Sequence, residues 1–413
     1  MESGRIAERC RRLALCSEQP GGITRVFLSP EQRAANALVM HWMTEAGMNA
    51  RLDAIGNVIG RYEGDHPGLP CLMLGSHLDT VRDAGSYDGI LGVVTAVECV
   101  ASLHARGVRL PFAIEVIGFG DEEGVRFGAT LLGSRAVAGA FPREMIGTAG
   151  RDGVTLGAAM RDFGLDPAQI EAAARRPEEV LAYAELHIEQ GPVLESEGLS
   201  VGVVTAINGF TRMAATIEGI AGHAGTMPMS LRADALAAAA ECVLAVERIA
   251  TREPELVATV GRIEALPGAI NVIPGRASFT VDLRAPDDNA RIVAVQELTA
   301  AMKTLCARRG VSIAIDRLQD TGAAACAPRL MAQMERAIAA EGLPVRRLPS
   351  GAGHDGMAIS AIADICMLFV RCERGISHNP AEAVSLDDID AGRRVLRRFV
   401  EDFDAGAQAA LPR

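Results

Sequence analysis

Five of the eight histidines in this chain stand beside acidic or glycine-rich turns. The apolar run 71–74 leads into Gly75-Ser76-His77-Leu78-Asp79-Thr80. A His and an Asp two residues apart at a strand end point to the same side and can reach one site. Eleven residues after His77 comes Tyr87-Asp88-Gly89, and a second apolar run ends in Asp121-Glu122-Glu123-Gly124. Three successive acids at the end of a buried strand are costly unless positive charge lies beside them, and one or two metal ions would supply it. Glu185, His187 and Glu189 fall on one face of a further strand, and Ser377-His378-Asn379-Pro380-Ala381-Glu382 follows the apolar run 365–370. Strand ends therefore deliver His77, Asp88, Glu123, His187 and His378. Imidazole mixed with carboxylate suits zinc, manganese, cobalt or nickel better than a thiolate-seeking metal.

Such residues need a scaffold that gathers strand ends, and the pattern along the chain provides one. Residues 71–75, 112–118, 184–188 and 201–207 read as strands, and 91–105 as a helix closed by Gly107. Ser29-Pro30-Glu31 opens an earlier helix, with Ser as N-cap and Pro in the first turn, and Gly47 ends it. Short apolar strands alternating with helices predict an α/β fold, with a mixed, mainly parallel central sheet flanked by helices. Ligands bind at the carboxyl ends of such strands. Between 209 and 321 the order changes to strand 211–218, helix 232–251, strands 256–264 and 277–284, helix 290–309 and strand 311–317. This βαββαβ order is ferredoxin-like. It predicts an inserted α+β domain at 209–321 within a catalytic domain formed by 1–208 and 322–413.

Composition narrows the field without naming a chemistry. Of 413 residues 49% are hydrophobic and 23% charged, an ordinary globular mix. The 52 acidic against 41 basic residues give a net charge of -11, which argues against a nucleic-acid partner. No uncharged apolar run reaches the roughly 18 residues of a membrane helix, and the first residues lack an apolar signal core. Nine irregularly spaced cysteines without a Cys-x-x-Cys pair fit reduced thiols in a cytoplasmic protein.

The motifs His77-Leu78-Asp79-Thr80, Asp88-Gly89, Asp121-Glu122-Glu123-Gly124 and Ser377-His378-Asn379-Pro380 together resemble the co-catalytic metallopeptidase and aminoacylase superfamily. His187-Ile188-Glu189-Gln190-Gly191-Pro192-Val193-Leu194-Glu195 and Gly222-His223-Ala224-Gly225-Thr226-Met227-Pro228-Met229 narrow the resemblance to the hydantoinase/carbamoylase branch. That branch holds allantoate amidohydrolases, N-carbamoyl-L-amino acid hydrolases and β-ureidopropionases. The similarity covers essentially the whole chain, with Gly21-Gly22-Ile23-Thr24-Arg25 and Ser29-Pro30-Glu31 included.

The resemblance implies a zinc-exopeptidase-like catalytic domain, an inserted domain serving as lid and dimerisation element, and two divalent ions per subunit. His77, Asp88, Glu123, His187 and His378 correspond to the ligands, with Asp88 bridging. Peptidase relatives commonly carry a carboxylate where His187 stands. Asp79 corresponds to the acid that orients His77, and Glu122 to the general base. Glu122 and Glu123 alternate along the chain, so one faces the metal while the other stays free. His223 corresponds to an oxyanion-stabilising donor. Gln190, Asn271, Arg284, Gly353 and His354 correspond to substrate contacts, Arg284 being suited to a carboxylate.

The implied activity is hydrolysis of a ureido acid to ammonia and carbon dioxide in a homodimer, with allantoate favoured and an N-carbamoyl-L-amino acid the alternative. A dipeptidase or aminoacylase is disfavoured by the His187 block. A non-catalytic binder would have lost a ligand or the base, and none is missing.

Overall fold

Four strands buried along nearly their whole length form the middle of the larger sheet: Cys71–His77, Ala113–Phe119, Val180–Ile188 and Ile365–Val370. Such apolar runs persist only where helices cover both faces. In this computed structural model, which describes residues 2–404, the order is Asn49–Leu52, Val58–Tyr62, Ala113–Phe119, Cys71–His77, Val180–Ile188, Ile365–Val370 and Val201–Ile207. The central four run parallel, and the strands beyond them pair antiparallel. His77 lies opposite Phe119, and Ile188 opposite Val370, so the carboxyl ends of all four meet along one edge.

Helix Ile90–Ala105 is buried along most of its length, between the Cys71–His77 strand and helix Glu2–Ala14. The Pro30–Glu45 helix begins as the sequence predicts: the Ser29 side chain accepts the Gln32 N–H, and Gly47 follows the helix at φ +76°. Between 125 and 175 the chain forms short helical segments around an apolar cluster of Phe127, Leu132, Leu156 and Ile170 with Phe27, Leu28 and Ile55.

The chain divides into two units: Met1–Thr205 with Cys326–Leu348 and Ala352–Arg413, and Ala206–Ala325 with Pro349–Gly351. The main sheet of the second unit is antiparallel, in the order Ile263–Leu266, Arg276–Ala285, Gly209–Glu218, Ser312–Thr321. Helices Ala235–Ala250 and Asp288–Arg308 pack together and against this sheet around a core that includes Cys242, Phe279 and Leu298.

The strand expected at 256–264 is two strands. Val257–Thr259 and Ile263–Leu266 pair with different stretches of Arg276–Ala285. The break falls around Gly261, where the Arg262 carbonyl accepts the Thr280 N–H. All nine cysteines are free. Among the described residues no helix is long and apolar enough to cross a membrane.

Candidate metal centre and active site

The carboxyl ends of the parallel strands and the segments leaving them place His77, Asp88, Glu122, Glu123, His187, Gln190 and His378 in one cluster of the first unit. Ligand-type atoms of His77, Asp88 and His187 lie within 4.8 Å of one another, as do those of Asp88, Glu123 and His378. Asp88 belongs to both sets. Its Oδ1 is 3.2 Å from His187 Nε2 and 3.8 Å from His77 Nε2, and its Oδ2 is 3.1 Å from His378 Nε2. His378 Nε2 is also 3.3 Å from Glu123 Oε1.

The orientation of two of the imidazoles is fixed by the main chain. His77 Nδ1 donates to the Asp79 carbonyl at 2.9 Å, and His187 Nδ1 to the Ile188 carbonyl at 2.8 Å. A carbonyl can only accept, so Nδ1 donates in both rings and Nε2 of each is turned toward Asp88. Lone pairs facing a carboxylate repel unless a proton or a cation lies between them. The buried His187 Nε2 faces Asp88 Oδ1 at 3.2 Å without the alignment of a full hydrogen bond.

The ionisation of the cluster reflects the same crowding. Burial alone would raise Asp88, but His187 and His378 pull it well below the usual carboxylate range. Burial would lower His187, but Asp88 and Glu185 outweigh it and hold the ring up at about 9. Hydrogen bonds to Asp88 and Glu123 raise His378 to about 10. Protons thus hold together a group of donors that a divalent cation would satisfy. Those donors are nitrogen and oxygen alone, as zinc, manganese, cobalt or nickel accept.

Local structure makes room for this arrangement. Gly89, at φ +70°, opens the turn before helix Ile90–Ala105, and a Cβ there would stand 2.4 Å from His77 Nε2. Any side chain at 89 displaces the ring.

Asp79 works differently from the expectation that its acid orients His77. Its main-chain oxygen takes His77 Nδ1, while its carboxylate lies 3.9 Å from that atom. The carboxylate instead accepts the N–H groups of Glu122 and Glu123, both at 3.1 Å.

Nor do Glu122 and Glu123 alternate. The strand ends at Phe119 and Asp121 turns the chain at φ +59°. Both glutamates then place an oxygen within 4.8 Å of a ligand-type atom of His77. Burial, with Glu123 and Asp355 nearby, raises Glu122 well above the usual carboxylate range.

Gln190, at φ +58°, donates from Nε2 to Asp88 Oδ1 and to Ser377 Oγ, both at 3.1 Å. Gly353 stands beside Glu122, with a Cβ position 3.9 Å from Oε1. His354 is buried edge-on against His187, with ring centroids 4.4 Å apart, and burial together with that ring lowers it well below the usual imidazole range. Glu189 has a structural task, accepting the N–H groups of Val193 and Leu194.

Three of the expected site residues lie on the second unit. His223 pairs with Val272 across a short ladder, and its Nδ1 accepts the Gly225 N–H at 3.0 Å. The carbonyl of the exposed Asn271 accepts the Ala224 N–H. Arg284 donates from Nε and Nη2 to Asp282 and from Nη1 to the Gly351 carbonyl at 2.8 Å. Three of the five guanidinium N–H groups are thereby committed and two stay available.

Sequence reasoning gave Glu382 no role, although it stands in the Ser377–Glu382 motif. Its carboxylate is buried among main-chain N–H groups of the Asp88 turn. A carboxylate four residues after a candidate ligand histidine was the available signal.

Residues 73–402 match the family described as Peptidase family M20/M25/M40. An N-carbamoyl-L-amino acid amidohydrolase of Geobacillus stearothermophilus is 43% identical over 407 residues, covering 98% of this chain and 100% of that protein. Allantoate deiminase 1 of Glycine max is 40% identical over 426 residues, covering 96% and 88%. The crystal structure of an amidase of the hydantoinase/carbamoylase family from Burkholderia multivorans, 33% identical, superposes with a TM-score of 0.91 over 100% of this chain and 98% of that one. Sequence and fold agree over nearly the full length, and the chain belongs to Peptidase family M20/M25/M40.

Proposed function

We propose that this protein hydrolyses the terminal carbamoyl C–N bond of a small ureido acid, with allantoate as the favoured substrate. The observation that carries the reading is the pair of ligand sets sharing Asp88, with the perturbed carboxyl of Glu122 beside them. The family is metal-dependent, and the relatives described above act on N-carbamoyl-L-amino acids and on allantoate. The 43% identity to the carbamoylase supports N-carbamoyl-L-amino acids as the second reading.

His77, Asp88, Glu123, His187 and His378 are the residues we assign to two divalent ions, zinc or manganese first, with cobalt and nickel as alternatives. Such ions, when bound, polarise a carbonyl and make a nucleophile available near neutral pH. Glu122 takes the proton of the attacking water and returns it to the departing nitrogen. The C–N bond to the terminal nitrogen breaks and ammonia leaves; the carbamate left on the other nitrogen takes up a proton and loses carbon dioxide, leaving an amine.

Asp79 holds the main chain on which Glu122 and Glu123 stand, and Gln190 steadies Asp88. On the second unit, taken as residues 209–321, Arg284 binds the substrate carboxylate, Asn271 an amide, and His223 the developing oxyanion. Gly353 and His354 complete the substrate side. The exposed Met229, Leu231 and Ile270 of that unit support a second copy of the chain as its partner.

The test is ammonia release from allantoate, N-carbamoyl-L-amino acids and dipeptides, after metal stripping and after add-back of each divalent ion. Ammonia from a ureido acid only after add-back is expected. Ammonia from neither ureido class, or turnover of dipeptides alone, would overturn the reading.

A further inference from the structure

The structure assigns Glu382 as a positioning residue that clamps Asp88, shared by the two ligand sets, to the segment carrying His378. This rests on the metal-site reading above. Glu382 Oε1 accepts the N–H of Tyr87 at 2.8 Å and the N–H of Asp88 at 3.1 Å. Its Oε2 accepts from Ser377 Oγ at 3.0 Å. Ser377 Oγ lies 3.4 Å from Asp88 Oδ2 and receives Gln190 Nε2 at 3.1 Å. One buried carboxylate thus ties together two ligand-bearing segments almost 300 residues apart in sequence.

The fit against the 85–88 segment is close. At Gly85 a Cβ would stand 2.2 Å from the Glu382 carboxyl carbon, so only glycine lets the clamp approach. Glu382 is too far engaged with the main chain to act as a ligand in this arrangement. Its effect passes through Asp88, whose two oxygens face the two ligand sets. A few tenths of an ångström lost at Asp88 are felt by both sets at once.

Glutamine at 382 can keep every bond. Its oxygen accepts the two N–H groups, its amide donates to Ser377 Oγ, and the hydroxyl turns its own proton to Asp88. Alanine keeps none. Outer partners of metal ligands are typically worth about 10- to 100-fold in affinity.

The experiment follows release of bound metal to a chelator from Glu382→Ala, Glu382→Gln and Ser377→Ala, together with the visible absorption of the cobalt-loaded proteins. Glu382→Ala is expected to release metal about 10- to 100-fold faster with an altered cobalt spectrum, and Glu382→Gln within a few-fold of wild type with the spectrum kept. Wild-type release from Glu382→Ala would overturn the inference. So would equal weakening by Gln and Ala, which would make bare negative charge the operative property. If Glu382→Ala does not fold, Ser377→Ala decides, because it removes one hydroxyl and leaves the main-chain bonds. Faster release with an unchanged melting temperature of the metal-free protein supports the clamp, and wild-type release overturns it. A wild-type protein that took up no divalent ion would overturn the metal-site reading itself, whereas normal uptake with unaffected variants would overturn only the clamp.

Discussion

The Asp79 carboxylate is bonded to the main chain of Glu122: Oδ1 accepts the Glu122 N–H at 3.1 Å, while Oδ2 accepts the next N–H at the same distance. Rather than orienting an imidazole, this acid fixes the turn from which Glu122 projects. Asparagine has one acceptor oxygen where aspartate has two, and its amide would face an N–H. Leaving such a buried donor unmet costs about 1–3 kcal/mol. Asp79→Asn is therefore predicted to lower kcat about 10- to 100-fold, with KM little changed. A wild-type kcat in steady-state assays would show that this turn is held by other bonds.

Removing the proton acceptor is a separate matter from moving it. Glu122→Gln preserves size and loses basicity. The expected result is a fall in kcat of about 10²- to 10⁴-fold, with metal content equal to wild type. Turnover that survives the substitution would assign the proton transfer to another group.

The metal-free protein should have a pH dependence of its own. His187 and His378 are raised to about 9 and about 10, chiefly by Asp88 and, for His378, Glu123. An unfolded histidine titrates near 6.5. For a group whose proton is held more tightly in the folded state, the stabilisation is complete below the unfolded value and is lost as pH rises through the folded one. Melting temperatures of stripped protein should thus fall between pH 7 and 10. Saturating divalent ion should flatten that decline, because the cation replaces the protons. Parallel melting curves with and without metal would contradict this account of the cluster.

Arg284 offers a test on the second unit. Asp282 and the Gly351 carbonyl hold its guanidinium in place and leave two N–H groups for a ligand. Lysine cannot reproduce a planar fork. Arg284→Lys is predicted to raise KM for a carboxylated ureido substrate about 10- to 100-fold, the worth of a charge-assisted bond. The same ligand with its carboxylate amidated should be bound equally by both proteins. An unchanged KM for the acid would remove Arg284 from substrate recognition.

Local signals in the sequence account for much of this architecture. The buried strands were legible because a short, unbroken apolar run that stops at His77, or at Asp121 and its neighbours, fits a strand covered on both faces. Clustering of strand-end His and acid residues followed from the parallel order. What failed was anything decided by the fine path of the chain. The family resemblance linked Asp79 to His77, but a motif cannot distinguish its carbonyl from its carboxylate. Alternation of Glu122 and Glu123 assumed an extended backbone that the turn at Asp121 removes. The short strands Asn49–Leu52, at the edge of the sheet, and Val58–Tyr62, next to it, carry too few residues to show a period. Glu382 offered only its place four residues after His378 as a hint, and no local pattern reports its contact with 87 and 88 across nearly 300 residues.

The pairing of Ile365–Val370 with Val180–Ile188 has a consequence for how the molecule comes into being. The chain that emerges first carries His77, Asp88, Glu123 and His187, but the neighbouring parallel strand and His378 are made only after the whole of 206–325. During synthesis the acidic cluster therefore exists for a time without its last strand and its last imidazole. The apolar centre of the second unit, by contrast, draws on residues between Met213 and Ile315. Contacts of such separation are late and slow to form. The ribosome finishes the later-encoded unit before the earlier one can close, so assembly of the catalytic sheet runs against the order in which its parts are written.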